Sequence, residues 1–278
     1  MAASNFAIKV YVSPSHKFDS TPGTFSPTSS TVIIGERDAV LVDAQHMRSD
    51  VEALGDLIEQ SGKRLTTIYI THGHADHWYG IGDLLRRFPT ARAVATAGVV
   101  DYISKTQVQA AKQWRAMFGD RAVNPTAMPE IVSGPLSLEG QELRIVEVGQ
   151  GDIENSTVLH IPLIDTVVAG DVVYNKIHMM LGLGGPKEWD LWLDSIDKIE
   201  KLKPKAIVAG HKKHELPDTD AHRIIEESRS YIKLFAAISK TATTERELVD
   251  AMSAKFPEFG NIGTLFFSAK LVFAKRPA

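Results

Sequence analysis

A chain of 278 residues with 44% hydrophobic and 23% charged side chains can bury a substantial core, and its composition is neither disordered nor fibrous. A formal net charge of -3 with only local basic clusters such as Lys212-Lys213 lacks the electrostatic footprint of a nucleic-acid binder, so a small-molecule substrate is the expected partner. Zero cysteines exclude disulfides, thiolate ligands and a cysteine nucleophile. The first residues lack a signal-like basic and apolar pattern, and no stretch approaches the roughly 18 apolar residues of a membrane helix, so a cytoplasmic protein without membrane contact is expected.

In chain order, residues 7–12 and 31–43 read as strands, the second folded around a turn at Gly35 to Asp38. Residues 13–30, rich in Ser, Thr, Pro and Gly, form a long loop, and such loops often carry function. Val51, Leu54 and Ile58 recur at helical spacing after a Ser49 or Asp50 cap, and the pattern stops at Gly62. Residues 65–70 form a short strand that runs into Thr71-His72-Gly73-His74-Ala75-Asp76-His77, and Trp78 to Phe88 is predicted as one helix beyond it. A strand at 93–95 and a helix over 99–118 complete a second β/α alternation.

Strands near 136–139, 142–148, 157–162 and 166–170 make a second β-rich block, followed by a helix over 188–202 and a strand at 206–209 that ends at Gly210-His211. Helices near 219–238 and 244–255 follow, and the apolar stretch Leu265 to Phe273 is either core or a homodimer surface. No short-period repeat or low-complexity linker divides the two halves, so residues 1–278 are read as one domain built of two sheets covered by helices.

His72, His74, Asp76 and His77 place four potential ligands within six residues at the end of a strand. A loop there can turn them towards one point. Zinc accepts imidazole and carboxylate ligands at about 2.0–2.2 Å and keeps a position open for water in catalytic sites. Two neighbouring clusters of this kind are able to hold two ions.

The run THGHADH resembles the HxHxDH signature of the metallo-β-lactamase superfamily. The resemblance implies a four-layer αββα sandwich with the ligands on loops at one edge. Asp43 then resembles the aspartate that ends an early strand and supports the site. Asp171, in Val168-Ala169-Gly170-Asp171, resembles the aspartate that bridges both metals, and His211, in Ala209-Gly210-His211, resembles the late histidine of the second metal. The family's further histidine is missing: the corresponding stretch is Glu147-Val148-Gly149-Gln150-Gly151-Asp152-Ile153-Glu154-Asn155-Ser156-Thr157. Matching its flanks without a gap puts Asp152 at that position, ahead of Gln150 and Glu154. The implied sets are His72, His74 and Asp152 for the first ion and Asp76, His77 and His211 for the second, with Asp171 between them.

Three carboxylates and a hydroxide carry about four negative charges against four from two divalent ions, so the bridging water should be less acidified and harder ions better tolerated than with a third histidine. Zinc is the expected ion, with manganese or iron as alternatives. The implied function is a binuclear hydrolase in which a metal-held hydroxide attacks a carbonyl of a small, fairly apolar ester, lactone or amide. Asp76 or Asp152 would relay a proton to the leaving group, and Tyr174 or His178 would polarise the carbonyl. Trp78 and Tyr79 are either pocket wall or core, and Met179, Met180, Leu181 and Leu183, with Phe18 and Phe25 opposite, suggest an apolar cover. The alternatives are a β-lactam, thioester or phosphodiester hydrolase, a mononuclear iron dioxygenase and, last, a binding protein without turnover.

Overall fold

The computed structural model describes residues 6–276. Strands β1 (Ala7–Val12), β2 (Ser29–Ile34) and β3 (Asp38–Val42) pair antiparallel in sequence. They are followed by α1 (Arg48–Gln60), β4 (Arg64–Tyr69), α2 (Ala75–Trp78), α3 (Ile81–Arg87), β5 (Arg92–Ala95), α4 (Ala97–Phe118) and β6 (Glu130–Ile131). From β3 to β6 the pairing is parallel, giving a six-stranded sheet in simple sequence order.

The second half contains β7 (Leu136–Leu138), β8 (Gln141–Gly149), β9 (Ser156–Ile161), β10 (Thr166–Val168) and β11 (Tyr174–Asn175), then α5 (Pro186–Lys201), β12 (Ala206–Val208) and β13 (His211–Lys212). Helices α6 (Ala221–Thr241), α7 (Glu245–Lys255) and α8 (Ile262–Ala274) close the described chain. The second sheet has the order β12-β10-β9-β8-β7, and β11 with β13 makes a separate ribbon.

Alternation along the strands sorts the apolar side chains into three cores. Leu41 and Ile68 pack with Leu54, Ile58, Leu84 and Val99 of the first helical layer. Their neighbours Val40, Val42 and Tyr69 join Leu143, Leu159, Val168 and Val208 between the sheets. Val158, Val167 and Ile207 point the other way, onto Trp192, Ile224, Phe235, Leu248 and Leu265 of α5 to α8. The expected αββα sandwich follows. Burial on both faces also explains why β3 reads as a continuous apolar run.

One local expectation is corrected. The helix predicted over Trp78 to Phe88 is broken into α2 and α3, because the 44–45 loop competes for its hydrogen bonds: Ala44 N donates to the His77 carbonyl and Gly80 N donates to the Gln45 carbonyl. The stretch from Leu265 to Phe273 lies in α8, with Leu265, Ser268 and Ala269 buried while Phe266 and Phe267 remain 45% and 48% exposed. One face of that stretch is therefore core. The two-residue strands β6, β11 and β13 are too short to show a period in sequence.

Candidate metal centre

The strands β3, β4, β10 and β12 deliver Asp43, the 71–77 loop, Asp171 and His211 from their C-terminal ends, the edge where open α/β sheets place their sites. Strand β9 runs antiparallel to β10, so the loop before it carries Asp152 to the same edge. The two ligand loops are tied together by Thr157, whose backbone N and Oγ1 both donate to the Thr71 carbonyl, at 3.0 and 2.7 Å.

Asp43 sits in the left-handed region at φ 63°, an uncommon conformation outside glycine that functional sites tolerate when their surroundings fix it. Here the surroundings do so. Its carboxylate accepts from Thr71 N at 2.9 Å, from Thr71 Oγ1 and from His77 Nδ1 at 2.8 Å. With Nδ1 committed to Asp43, His77 turns Nε2 towards the other ligand atoms.

The inward atoms fall into two groups. Ligand atoms of His72, His74, Asp152 and Asp171 lie within 4.8 Å of one another, as do those of Asp76, His77 and His211. In the first, His74 Nδ1 is 2.7 Å from Asp152 Oδ2, and His72 Nε2 is 3.9 Å from Asp152 Oδ1 and 3.7 Å from Asp171 Oδ2. In the second, His77 Nε2 is 3.3 Å from Asp76 Oδ2, and His211 Nε2 is 3.5 Å from the same oxygen. Asp171 joins them: its Oδ1 is 3.2 Å from His77 Nε2 and its Oδ2 is 3.0 Å from His211 Nε2. Close approach at this point requires Gly210, since a Cβ there would stand 2.2 Å from Asp171 Oδ1.

The donor set fits divalent ions. His72 Nε2, His77 Nε2, Asp152 Oδ1 and Asp171 Oδ1 are buried without a hydrogen-bond partner, a cost that is rarely tolerated four times in one place unless something else satisfies these atoms. Other unpartnered buried atoms, on Thr31, Gln45, His46, Tyr79, Thr96 and His160, belong to no such ligand cluster among the described residues. Three carboxylates and four imidazoles, mixed in this way, are borderline to hard ligands suited to zinc or manganese.

Without a bound ion, burial and neighbouring charges push the ligands' proton affinities in different directions. Burial, then His77, holds the His72 imidazole well below its usual range. Burial alone would also lower His77, but Asp76, Asp171 and Asp43 raise it well above that range. Burial opposes charge on His74 too, yet Asp152 pushes it up to about 9, while burial raises Asp152 itself. Metal binding would displace these protons.

Tyr174 is brought to the site by the parallel pairing of β11 with β13, which sets it beside His211. Its phenol donates to Asp171 Oδ2 at 3.1 Å, so it braces that carboxylate. His178 is not brought there. The chain turns at Lys176, φ 61°, Ile177 bridges Gly260, and His178 Nδ1 shares a hydrogen bond with the Tyr231 hydroxyl at 2.9 Å beside Phe259. Trp78 and Tyr79 are core, each 1% exposed, and Met179 and Leu181 are core as well. Gln150 Nε2 donates to the Gly151 carbonyl, and Glu154 is exposed.

Sequence reading missed three contributors. Thr28 Oγ1 donates to Asp76 Oδ2 at 3.0 Å, and the Pro27 carbonyl accepts from His211 Nδ1 at 2.8 Å, so the end of the long loop braces the second group. The loop's composition was the available signal. Tyr102 of α4 lies against Gly73, with its ring centroid 6.5 Å from that of His74, and burial, then Asp152 and Glu154, push its phenol up to about 12. Nothing in the sequence links it to the site.

A metal-dependent hydrolase is the class of protein that this fold and ligand set define. The family description "Metallo-beta-lactamase superfamily" matches residues 23–211, and the chain belongs to that superfamily. Its fold is similar to that of a metallo-beta-lactamase family protein from Thermus thermophilus, with 18% identity, a TM-score of 0.65 and coverage of 95% of this chain and 91% of that one. A metallo-beta-lactamase from Pontibacter korlensis is similar at 16% identity and a TM-score of 0.59, over 83% of this chain and 99% of that one. No curated protein matches the chain. Among the described residues no helix is long and apolar enough to cross a membrane.

Proposed function

We propose that the protein is a binuclear hydrolase of small, fairly apolar esters, lactones or amides. The first ion would be held by His72, His74 and Asp152 and the second by Asp76, His77 and His211, with Asp171 between them. The observation that carries this reading is the convergence of four unpartnered buried ligand atoms on two groups, with Asp171 of the first also 3.2 Å from His77 and 3.0 Å from His211 of the second. Bound divalent ions supply an acidified water and Lewis-acid stabilisation of a developing oxyanion.

The chain's own residues supply orientation and proton handling. Asp43 fixes the His77 tautomer, and Tyr174 and Thr28 hold Asp171 and Asp76 in place by donating to one oxygen of each. Asp76 or Asp152, the carboxylates at the reacting centre, would relay a proton to the leaving group. Support for an apolar substrate comes from the aromatic rings of Phe25 and Tyr102, which flank His211 and His74 with centroids 6.1 and 6.5 Å away. The substitution of aspartate for histidine supports manganese as well as zinc.

Metal content of the zinc- and manganese-loaded protein, measured beside turnover of a lactone, an aryl ester, a β-lactam, a thioester and a phosphodiester, tests the proposal. Two equivalents, with the lactone or aryl ester hydrolysed fastest, are expected. Protein holding two equivalents that turns over none of the five contradicts it.

A further inference from the structure

Of the seven side chains in the two ligand groups, six are nearly sealed, with side-chain exposures of 0 to 6%, whereas His74 is 25% exposed. Solvent, and hence a substrate, reaches the groups on the His74 side. The ring beside that opening is Tyr102. It is pressed so closely onto the loop that a Cβ on Gly73 would lie 2.4 Å from Tyr102 Cδ1, and a glycine between the first two histidines is what lets the ring lie there. Helix α4 is fixed to the opposite ligand loop as well, because a Cβ on Gly98 would meet Asn155 at 3.0 Å. Tyr102 is thus held from both sides of the first group.

The chain has six tyrosines. Four have committed their hydroxyls: Tyr11 to Asp50, Tyr69 to Thr157, Tyr174 to Asp171 and Tyr231 to His178. Tyr79 is unpartnered but sealed in the core. Tyr102 alone is half-buried at the opening, and among the described residues its hydroxyl has no hydrogen-bond partner. A rigidly placed phenol with a free donor beside the entrance is the kind of group that orients a polar ligand. We infer that Tyr102 is a substrate-positioning residue, whose hydroxyl donates to a carbonyl or ring oxygen of the molecule entering beside His74. This rests on the hydrolase reading above.

The test compares Tyr102→Phe and Tyr102→Ala with the unaltered protein, all metal-loaded, by metal content, by KM and kcat for 4-nitrophenyl acetate or whichever panel substrate the unaltered protein turns over, and by calorimetric binding of benzoate. Loss of one hydrogen bond predicts that Tyr102→Phe keeps both ions and its kcat while KM and the benzoate Kd rise about three- to tenfold. A role confined to packing against Gly73 predicts instead that Tyr102→Phe matches the unaltered protein and only Tyr102→Ala is impaired, and that result overturns the inference. Loss of metal from Tyr102→Phe would also overturn it. An active unaltered protein with an unchanged Tyr102→Phe removes this inference alone; an unaltered protein that neither hydrolyses nor binds benzoate removes the hydrolase reading with it.

Discussion

The two ligand groups differ in what holds them. Every member of the second is fastened from outside: Asp76 by Thr28, His77 by Asp43 and His211 by the Pro27 carbonyl. In the first, His72 Nδ1 meets Thr71 Oγ1 at 3.0 Å and Asp171 accepts from Tyr174, but His74 and Asp152 lean on each other at 2.7 Å, and the second Asp152 oxygen has no partner. Preorganised ligands bind without first being ordered. The second group should therefore take its ion more tightly, and the first should depend on Asp152 for its integrity.

Substitutions can break or sharpen this contrast. The largest effect is expected from Asp171→Ala, which removes the side chain of the first group that also faces His77 and His211 of the second; affinity for both ions should fall by more than about 100-fold, beyond the usual cost of losing a supporting residue, as read by metal analysis after dialysis. Asp43→Ala should weaken the second ion most, by about 10- to 100-fold, because His77 loses its orienting acceptor directly, whereas His72 is affected only through Thr71. Equal loss from both groups would erase the distinction. Thr28→Val removes a single hydrogen bond to Asp76, and about a two- to tenfold loss confined to the second ion is expected in a chelator competition. Finally, Asp152→His should keep two equivalents and move the zinc-to-manganese preference a few-fold towards zinc, since a softer neutral ligand replaces a hard anion.

The same contrast marks what the sequence makes legible. The second group's core and half of the first lie on one short loop, so His72, His74, Asp76 and His77 announce themselves by spacing. Asp171 and His211 end strands in Gly-Asp and Gly-His pairs that resemble a known family, and Asp152 emerged only because the usual histidine is missing. The supports were hidden for different reasons. Thr28 and Pro27 act through the path of a loop, whose composition reveals that it is a loop and not where it lands. Tyr102 reaches the site because α4 folds back over Gly73, and an isolated tyrosine on a helix carries no sign of that. His178 shows the reverse error: nearness to Asp171 in sequence does not survive the turn at Lys176. In the fold, alternating apolar residues gave the layers, whereas the break between α2 and α3 came from hydrogen bonds donated and accepted by a distant loop.

The contrast rests on Asp152. Titration of metal-free protein with zinc against a chromogenic chelator resolves the two ions by affinity, in the unaltered protein and in Asp152→Ala. Two unequal steps are predicted for the former, and for the latter one step with the affinity of the tighter ion. Two steps retained in Asp152→Ala, or loss of the tighter one, would contradict the assignment of Asp152 to the first group.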